Sequence, residues 1–381
     1  MTVKTCLDST VVLTDSLPVK LSDCGRHLFI GHRFAPFEDL APATFETSAT
    51  AAYRDAWGGF LDLSSDASGV EIMRDPSGML PCYVARSEGS TVFASDAALI
   101  SQLLPQHISW PRLAAFLATD GMRSRATCLA DVEELLPGMR ERLEDGARTT
   151  LWSPWMFVQH SRSMHPEFAA RALRTVIDQT VGAWAERFSR ILLGVSGGLD
   201  SSIVAAALAQ TDCRPTLITI ATHEPDGDER AYARALADFL DLPLIEDFEA
   251  PDHVDLSVSA SAHLPRPVAR AFSQSSDAIQ YAHAEALEID AFMNGGGGDS
   301  VFCALRSASP LADRILAVPR PRELAHTVRD ICQVTGSPVA PVMVRGIRNA
   351  LRAPRAFKGR GIPSSPPPAC PPQACCPCIH G

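Results

Sequence analysis

Residues 191–208, ILLGVSGGLDSSIVAAAL, set a glycine pair, an aspartate and three serines between two apolar segments. These residue types suit phosphate chemistry. RILLGV has the composition of a buried strand, and SSIVAAALAQ that of a helix whose small residues pack on a sheet. Gly197 and Gly198 let the backbone turn sharply and approach a ligand closely. The helix then aims its unpaired N–H groups and the positive end of its dipole at the turn, where an anion is favoured. Ser196, Ser201 and Ser202 add hydroxyl donors. No lysine completes a G-x-x-x-x-G-K-[ST] loop, and the charge-bearing position is Asp200. An aspartate repels phosphate unless a cation lies between them, so the pattern implies Mg²⁺ held jointly by carboxylate and phosphate oxygens.

SGGLDSS resembles the pyrophosphate-binding loop of the asparagine synthetase superfamily, whose members make AMP and pyrophosphate from ATP. FMNGGGGDSVF follows an apolar strand and resembles the second glycine loop of that family, which ends in a metal-binding acid. By this resemblance Asp200 and Asp299 share the metal. Ser196, Gly197, Gly198, Asp200 and Ser201 hold the nucleotide, together with Gly297 and Gly298. THEPDGDERAYARALADFLDLP resembles the family's helix after the second strand. Asp228 and Glu229 read as helix-entry residues before they read as ligands. The Ile218–Ile220 edge could face adenine or pack in the core.

The elements that must position these residues follow from the pattern of the whole chain. At 381 residues it exceeds what one hydrophobic core usually organises, so two domains are expected. A hydrophobic content of 46%, with 20% charged residues, describes a soluble globular protein. The net charge of −10 argues against a nucleic-acid platform. No apolar stretch reaches the roughly 20 residues that span a bilayer. The N-terminal residues lack a basic region and a long apolar core, so a cytoplasmic enzyme is expected. Residues 1–150 carry short β-like runs such as HLFIGHRF, VEIMRD and PCYVARS, divided by turn residues, which predicts antiparallel sheet. From about Pro166, helical pattern alternates with the apolar strands RILLGVS, PTLITIAT, PLIEDF and IDAFMNG, which predicts a parallel sheet covered by helices. Residues 152–166 read as the linker, and two or three helices follow Pro310.

WGGFLDL, RDPSGMLPCYVA, VFASDAALI and ELLPGMRERLEDG resemble pieces of the superfamily's glutamine-hydrolysing domain. The resemblance implies an α+β / α/β two-domain fold. An Ntn-hydrolase-like, glutaminase-like but degenerate sandwich at 1–150 precedes a doubly wound, parallel-sheet PP-loop ATP-pyrophosphatase domain (adenine nucleotide alpha hydrolase-like) at 160–357. In active relatives a cysteine follows the initiator methionine and serves as nucleophile through its own α-amine. Here that position is Thr2, so the domain is not expected to release ammonia. Among relatives that lost this cysteine, the lasso-peptide macrolactam synthetases (lasso cyclases) are most similar. Gly296 replaces the acid of asparagine synthetases and the tyrosine of β-lactam synthetases, and CALRSASPLADRILA also resembles the lasso group. The substrate so implied is a cleaved precursor peptide, with a leader peptidase and a leader-recognition protein as partners. A β-lactam synthetase-like or asparagine synthetase-like ligase, and a truncated, non-catalytic ATP-binding scaffold, are the alternatives.

Family enzymes also use a lysine downstream of both glycine loops. The chain has three lysines, and only Lys358 lies there, among prolines and glycines that favour a solvent-exposed role. By this resemblance the chain is expected to stop before the family's C-terminal helical region, and 358–381 read as a disordered Pro/Cys-rich tail. Its C-x4-C-C-x-C spacing is not a standard zinc pattern. The seven remaining cysteines, scattered from Cys6 to Cys332, read as ordinary buried thiols.

Overall fold

The computed structural model describes residues 2–7, 10–14, 17–34, 56–66, 69–87, 90–154, 156, 165–224, 227–259, 261–268, 273–302, 307–317 and 320–352. It divides into two units. Among the described residues, the first takes in those of Met1–Trp184 and Glu249–Ala286, the second those of Ala185–Phe248 and of 287–352.

In the first unit, β1 (Thr2–Leu7) and β2 (Thr10–Thr14) form a hairpin. The next strands are β3 (Val19–Leu21), β4 (His27–Phe34), β5 (Trp57–Asp66) and β6 (Gly69–Arg74). They are followed by β7 (Tyr83–Ser87), β8 (Ser90–Ala94), β9 (Val132–Glu134), β10 (Met139–Arg142) and β11 (Arg148–Thr150). Two short helices, α1 (Ala97–Ser101) and α2 (Trp110–Ala118), lie between β8 and β9. The strands build a six-stranded sheet, β11-β10-β6-β5-β4-β3, and a three-stranded sheet, β8-β7-β9, both antiparallel. Alternation decides the faces. Along HLFIGHRF, Leu28 and Ile30 turn inward and join Leu61, Leu63, Ile72, Val84 and Leu135 in a core shared by the two sheets.

Charge is also buried here. Arg74 donates to the carbonyls of Gly78, Leu80 and Leu135 and to the Glu134 carboxylate, at 2.7–2.9 Å. Glu134 is 1% exposed and also accepts from Arg123 at 2.8 Å and from Arg266 at 2.6 Å. Arg266 lies in the crossover that clusters with this unit, and it donates further to the carbonyls of Ser124 and Ala126. Glu141 is buried under Arg86 and Arg148. Asp75 accepts from the N–H groups of Phe60, Ser77 and Gly78, and burial raises its pKa above the ordinary value.

Helix α3 (Pro166–Ala185) leads to β12 (Ile191–Gly194), α4 (Leu199–Leu208), β13 (Thr216–Ala221), α5 (Arg230–Leu240) and β14 (Leu244–Phe248). The crossover carries α6 (Gln274–Ala286), and the chain returns as β15 (Ala291–Asn294), followed by the single turn α7 (Gly298–Val301). The four strands are parallel, in the order β14-β13-β12-β15. Ile191, Leu192 and Leu193 are almost wholly buried, as a central strand covered on both faces requires. Three helices close the unit: α8 (Ser309–Leu316), α9 (Pro321–Thr335) and α10 (Val339–Arg352), packed around Leu311, Val328, Ile331 and Val342. No helix among the described residues is long and apolar enough to cross a membrane.

Removing one partner of a buried, multiply bonded charge leaves the others uncompensated. Glu134→Ala is therefore expected to destabilise the first unit by about 3–5 kcal/mol. Urea unfolding followed by tryptophan fluorescence checks this, because all five tryptophans precede Ala185.

Candidate functional site

The strand order of the second unit fixes where a ligand fits. From β12 the chain steps to β13 and β14 on one side, then crosses to β15 on the other. The carboxyl ends of β12 and β15 therefore flank the point at which the strand order reverses, where open parallel sheets bind ligands. Both glycine loops leave from these two strand ends.

The first loop turns at Gly197, whose φ of +74° is left-handed. A Cβ there would lie 2.3 Å from the Cβ of Tyr232 and 2.7 Å from its backbone carbon, so glycine is required by packing as well as by φ. Gly198 is the N-cap of α4, and no side chain caps that helix end. Its N–H donates to Ser196 Oγ at 3.2 Å. Ser201 is buried; its Oγ accepts from Ser196 N–H and donates to the Gly198 carbonyl, each at 3.3 Å. Its hydroxyl thus braces the turn from within. Asp200 stands half-buried in the first turn of α4.

The second loop lies directly against the first. A Cβ on Gly295 would come 2.4 Å from Ser201 N and 2.8 Å from the Asp200 carbonyl carbon. A Cβ on Gly298 would come 2.2 Å from both Cγ and Oδ2 of Asp200. The Asp200 carboxylate therefore rests on the Cα of Gly298, and Asp299 follows as an exposed residue in the first turn of α7. Gly297, the N-cap of α7, takes φ +98° with open space where a Cβ would be. Gly296 is exposed and donates its N–H to Asn294 Oδ1 at 2.7 Å.

Among the described residues, neither Asp200 nor Asp299 has an ion-pair partner, and no three His, Cys, Asp or Glu side chains gather as a metal site. The donors at the crevice are carboxylate and hydroxyl oxygens beside a free helix N-terminus. That set suits a hard cation, and ligand oxygens would have to complete its shell. Lys358 and the cysteine tail lie outside the described residues.

The neighbouring strand ends carry side chains that the sequence did not single out. His223 stacks on Phe248 with centroids 5.2 Å apart and planes at 6°, and Arg230 covers the same ring at 4.4 Å. Their signal was position alone, just past the ends of β13 and at the end of β14. Asp228 receives Arg230 N–H at 3.1 Å and its guanidinium at 2.7 and 2.8 Å, which places it at the entry of α5. Arg230 draws its pKa down to about 2. Ile218 is a core residue, 2% exposed.

A methyl group at Gly295 would meet backbone that cannot retreat, whereas one at Gly296 would meet only the side-chain oxygen of Asn294. Gly295→Ala is expected to cost about 1–3 kcal/mol. Gly296→Ala should stay within about 0.5 kcal/mol of the parent. Thermal unfolding followed by circular dichroism separates the two.

No curated protein sequence matches this chain. Among solved structures, the glutamine-dependent NAD+ synthetase from Acinetobacter baumannii, in complex with adenosine diphosphate, aligns over 78% of this chain and 70% of its own. The identity is 9% and the TM-score 0.28, too slight to carry an argument. The family model for asparagine synthase matches residues 172–358, a span containing both glycine loops. Over this span the chain is similar to the asparagine synthase family.

Proposed function

We propose that this chain is an ATP-dependent, AMP-forming amide ligase that closes a macrolactam in a ribosomal precursor peptide, as a lasso cyclase does. One observation carries the nucleotide part of this reading. The Asp200 carboxylate rests against Gly298, one residue from Asp299, with neither acid paired to a basic side chain among the described residues, at the crevice where the strand order reverses. The asparagine synthase match supports the reaction class. Gly296, exposed and without a side chain, supports a bulky peptide substrate over a small one.

In this reading an Asp or Glu side chain of the peptide attacks the α-phosphorus of ATP, giving an acyl-adenylate and pyrophosphate. Ser196, Gly197 and Gly198 offer donors to the leaving pyrophosphate, with Ser201 holding the turn in shape and the α4 N-terminus favouring its charge. Gly297 and Gly298 bring the start of α7 to the same phosphates. When bound, Mg²⁺ would supply the positive charge that offsets the phosphates, held by Asp200 and Asp299. The peptide's N-terminal amine then attacks the activated carbonyl, forming the ring amide and releasing AMP. Holding both ends of the peptide together is the larger part of such catalysis, because it turns a bimolecular step into an intramolecular one. Lys358 is the candidate for steadying these steps. The first unit takes the place of a glutaminase-like, Ntn-hydrolase-like domain without its nucleophile. The peptide would arrive in the cytoplasm after leader removal, so a leader peptidase and a leader-recognition protein are the expected partners.

Incubation of the chain with ATP, Mg²⁺ and a linear core peptide should release pyrophosphate and yield a product lighter by one water on mass spectrometry. Asp200→Asn and Asp299→Asn should each lower pyrophosphate release by roughly 10²–10³-fold while leaving the circular dichroism spectrum unchanged. Parent-like release from both variants would remove the basis of the assignment. Pyrophosphate release without a cyclised peptide would make the chain an amide ligase of another substrate class.

A further inference from the structure

Helices α8, α9 and α10 close the second unit, and their packing uses only part of their apolar surface. Val342, Gly346 and Ala350 form the buried edge of α10. Gly346 lets this edge approach α8, because a Cβ there would lie 2.5 Å from Leu311 Cδ2. A second apolar edge of α10 is left open. Val339, Met343, Ile347 and Leu351 recur every fourth residue and all are exposed, Leu351 to 82%. Val344, 67% exposed, widens the row. One apolar face suffices to dock a helix in its bundle, so a second one marks a surface meant to be covered.

The row runs into a groove between α9 and α10. Leu324, Val328 and Cys332 of α9 line it with Val339 and Met343 of α10, and Arg329 stands at its rim. Basic charge gathers along both helices. Residues 321–352 carry five arginines against two acids, in a chain whose net charge is −10. One of those acids, Glu323, is already held by Arg314 at 3.2 Å. Arg345, Arg348 and Arg352 follow at helical spacing beside Val344, and Arg322 and Arg329 stand two turns apart on α9, all five exposed. None of the five has an ion-pair partner among the described residues.

Shape and charge together select the occupant. A groove between two helices takes a rod that presents side chains on one face, whereas a bilayer takes a convex apolar edge. An added strand needs an open sheet edge, which a helix pair lacks. Arginines on both helices call for carboxylates beside the apolar face of that rod. We infer that α9 and α10 form a docking groove for an acidic amphipathic helix of a partner protein. Its apolar anchors, spaced i, i+3, i+4 and i+7, fill the groove and cover Met343, Ile347 and Leu351. Its Asp and Glu side chains meet Arg329, Arg348 and Arg352, which set its orientation. The groove shares no residue with the glycine loops, so docking there requires neither ATP nor a peptide substrate.

The test is fluorescence anisotropy of the full chain with a fluorescein-labelled helical peptide of about 18 residues, leucines at the anchor spacing and glutamates beside them. This peptide should bind, and versions with lysine for every glutamate, or with the same residues scrambled, should bind at least about tenfold more weakly. Met343→Ser combined with Ile347→Ser should weaken binding by about tenfold or more. Arg348→Glu combined with Arg352→Glu should weaken the glutamate peptide and strengthen the lysine peptide, a gain that misfolding cannot produce. No binding of the glutamate peptide, equal binding of the scrambled one, or binding only to phosphatidylserine vesicles would overturn the inference. So would a dimer of the chain, seen by light scattering, that the Met343→Ser and Ile347→Ser pair converts to monomer, because a second copy would then fill the groove.

Discussion

The β15 glycine loop and the first turn of α4 approach so closely that no side chain fits between them. Gly295 faces the amide of Ser201, and Gly298 faces the carboxylate of Asp200. Everything at the crevice depends on this approach. It sets the start of one helix beside the start of another and fixes Asp299 one residue from the glycine that carries Asp200. Glycine here loses conformational entropy on folding, and that loss is offset only by what the approach allows. Gly197 meets the same demand from the other side, against the first turn of α5. Three glycines thus hold α4, α5 and α7 around one point, and a Cβ at any of them would move a backbone or the Asp200 carboxylate.

The first unit is organised by a different constraint, buried charge that must be satisfied in full. Glu134 has one carboxylate and three arginines, and Arg74 spends its guanidinium on three carbonyls besides. Such a cluster adds little net stability against an apolar core of equal volume, but it tolerates no missing member. Arg266 comes from 132 residues further along the chain. The crossover between β14 and β15 therefore clusters with the first unit, although both its neighbours in sequence are strands of the parallel sheet. Among the described residues Arg266 Nε has no hydrogen-bond partner, which leaves a desolvation cost in this docking.

Legibility in the sequence followed locality. The strand, glycine turn and helix at 191–208 could be read because each residue type has a direct steric or electrostatic meaning over a few positions. The alternation in HLFIGHRF gave the face of β4 for the same reason. The strand order was not legible, since parallel pairing joins β12 to a strand about a hundred residues away and leaves no mark on either. Glu134 and Arg266 look like two ordinary surface charges until the fold brings them together. Ser201 looks like another ligand donor, and only the geometry of the turn shows its hydroxyl already engaged. Cys24 stands exposed at the tip of the turn joining β3 to β4, not buried as expected, because exposure there depends on what the next layer covers.

Charge balance at the crevice constrains what can enter it. Two carboxylates, without ion-pair partners among the described residues, lie in the first turn of α4 and in the single turn α7. The partial positive charge at the α4 N-terminus does not cancel both. Like charges in one crevice repel, the more so as solvent is excluded. A triphosphate adds several negative charges more, so the bare anion is repelled by the acids on which its binding is proposed to depend. A nucleotide that arrives with its own cation reverses the sign of the interaction, because each carboxylate then meets positive charge first. Under the proposed function, the crevice would discriminate against free anions of similar shape, inorganic pyrophosphate without metal among them. That selectivity comes from having aspartate where a G-x-x-x-x-G-K-[ST] loop has lysine.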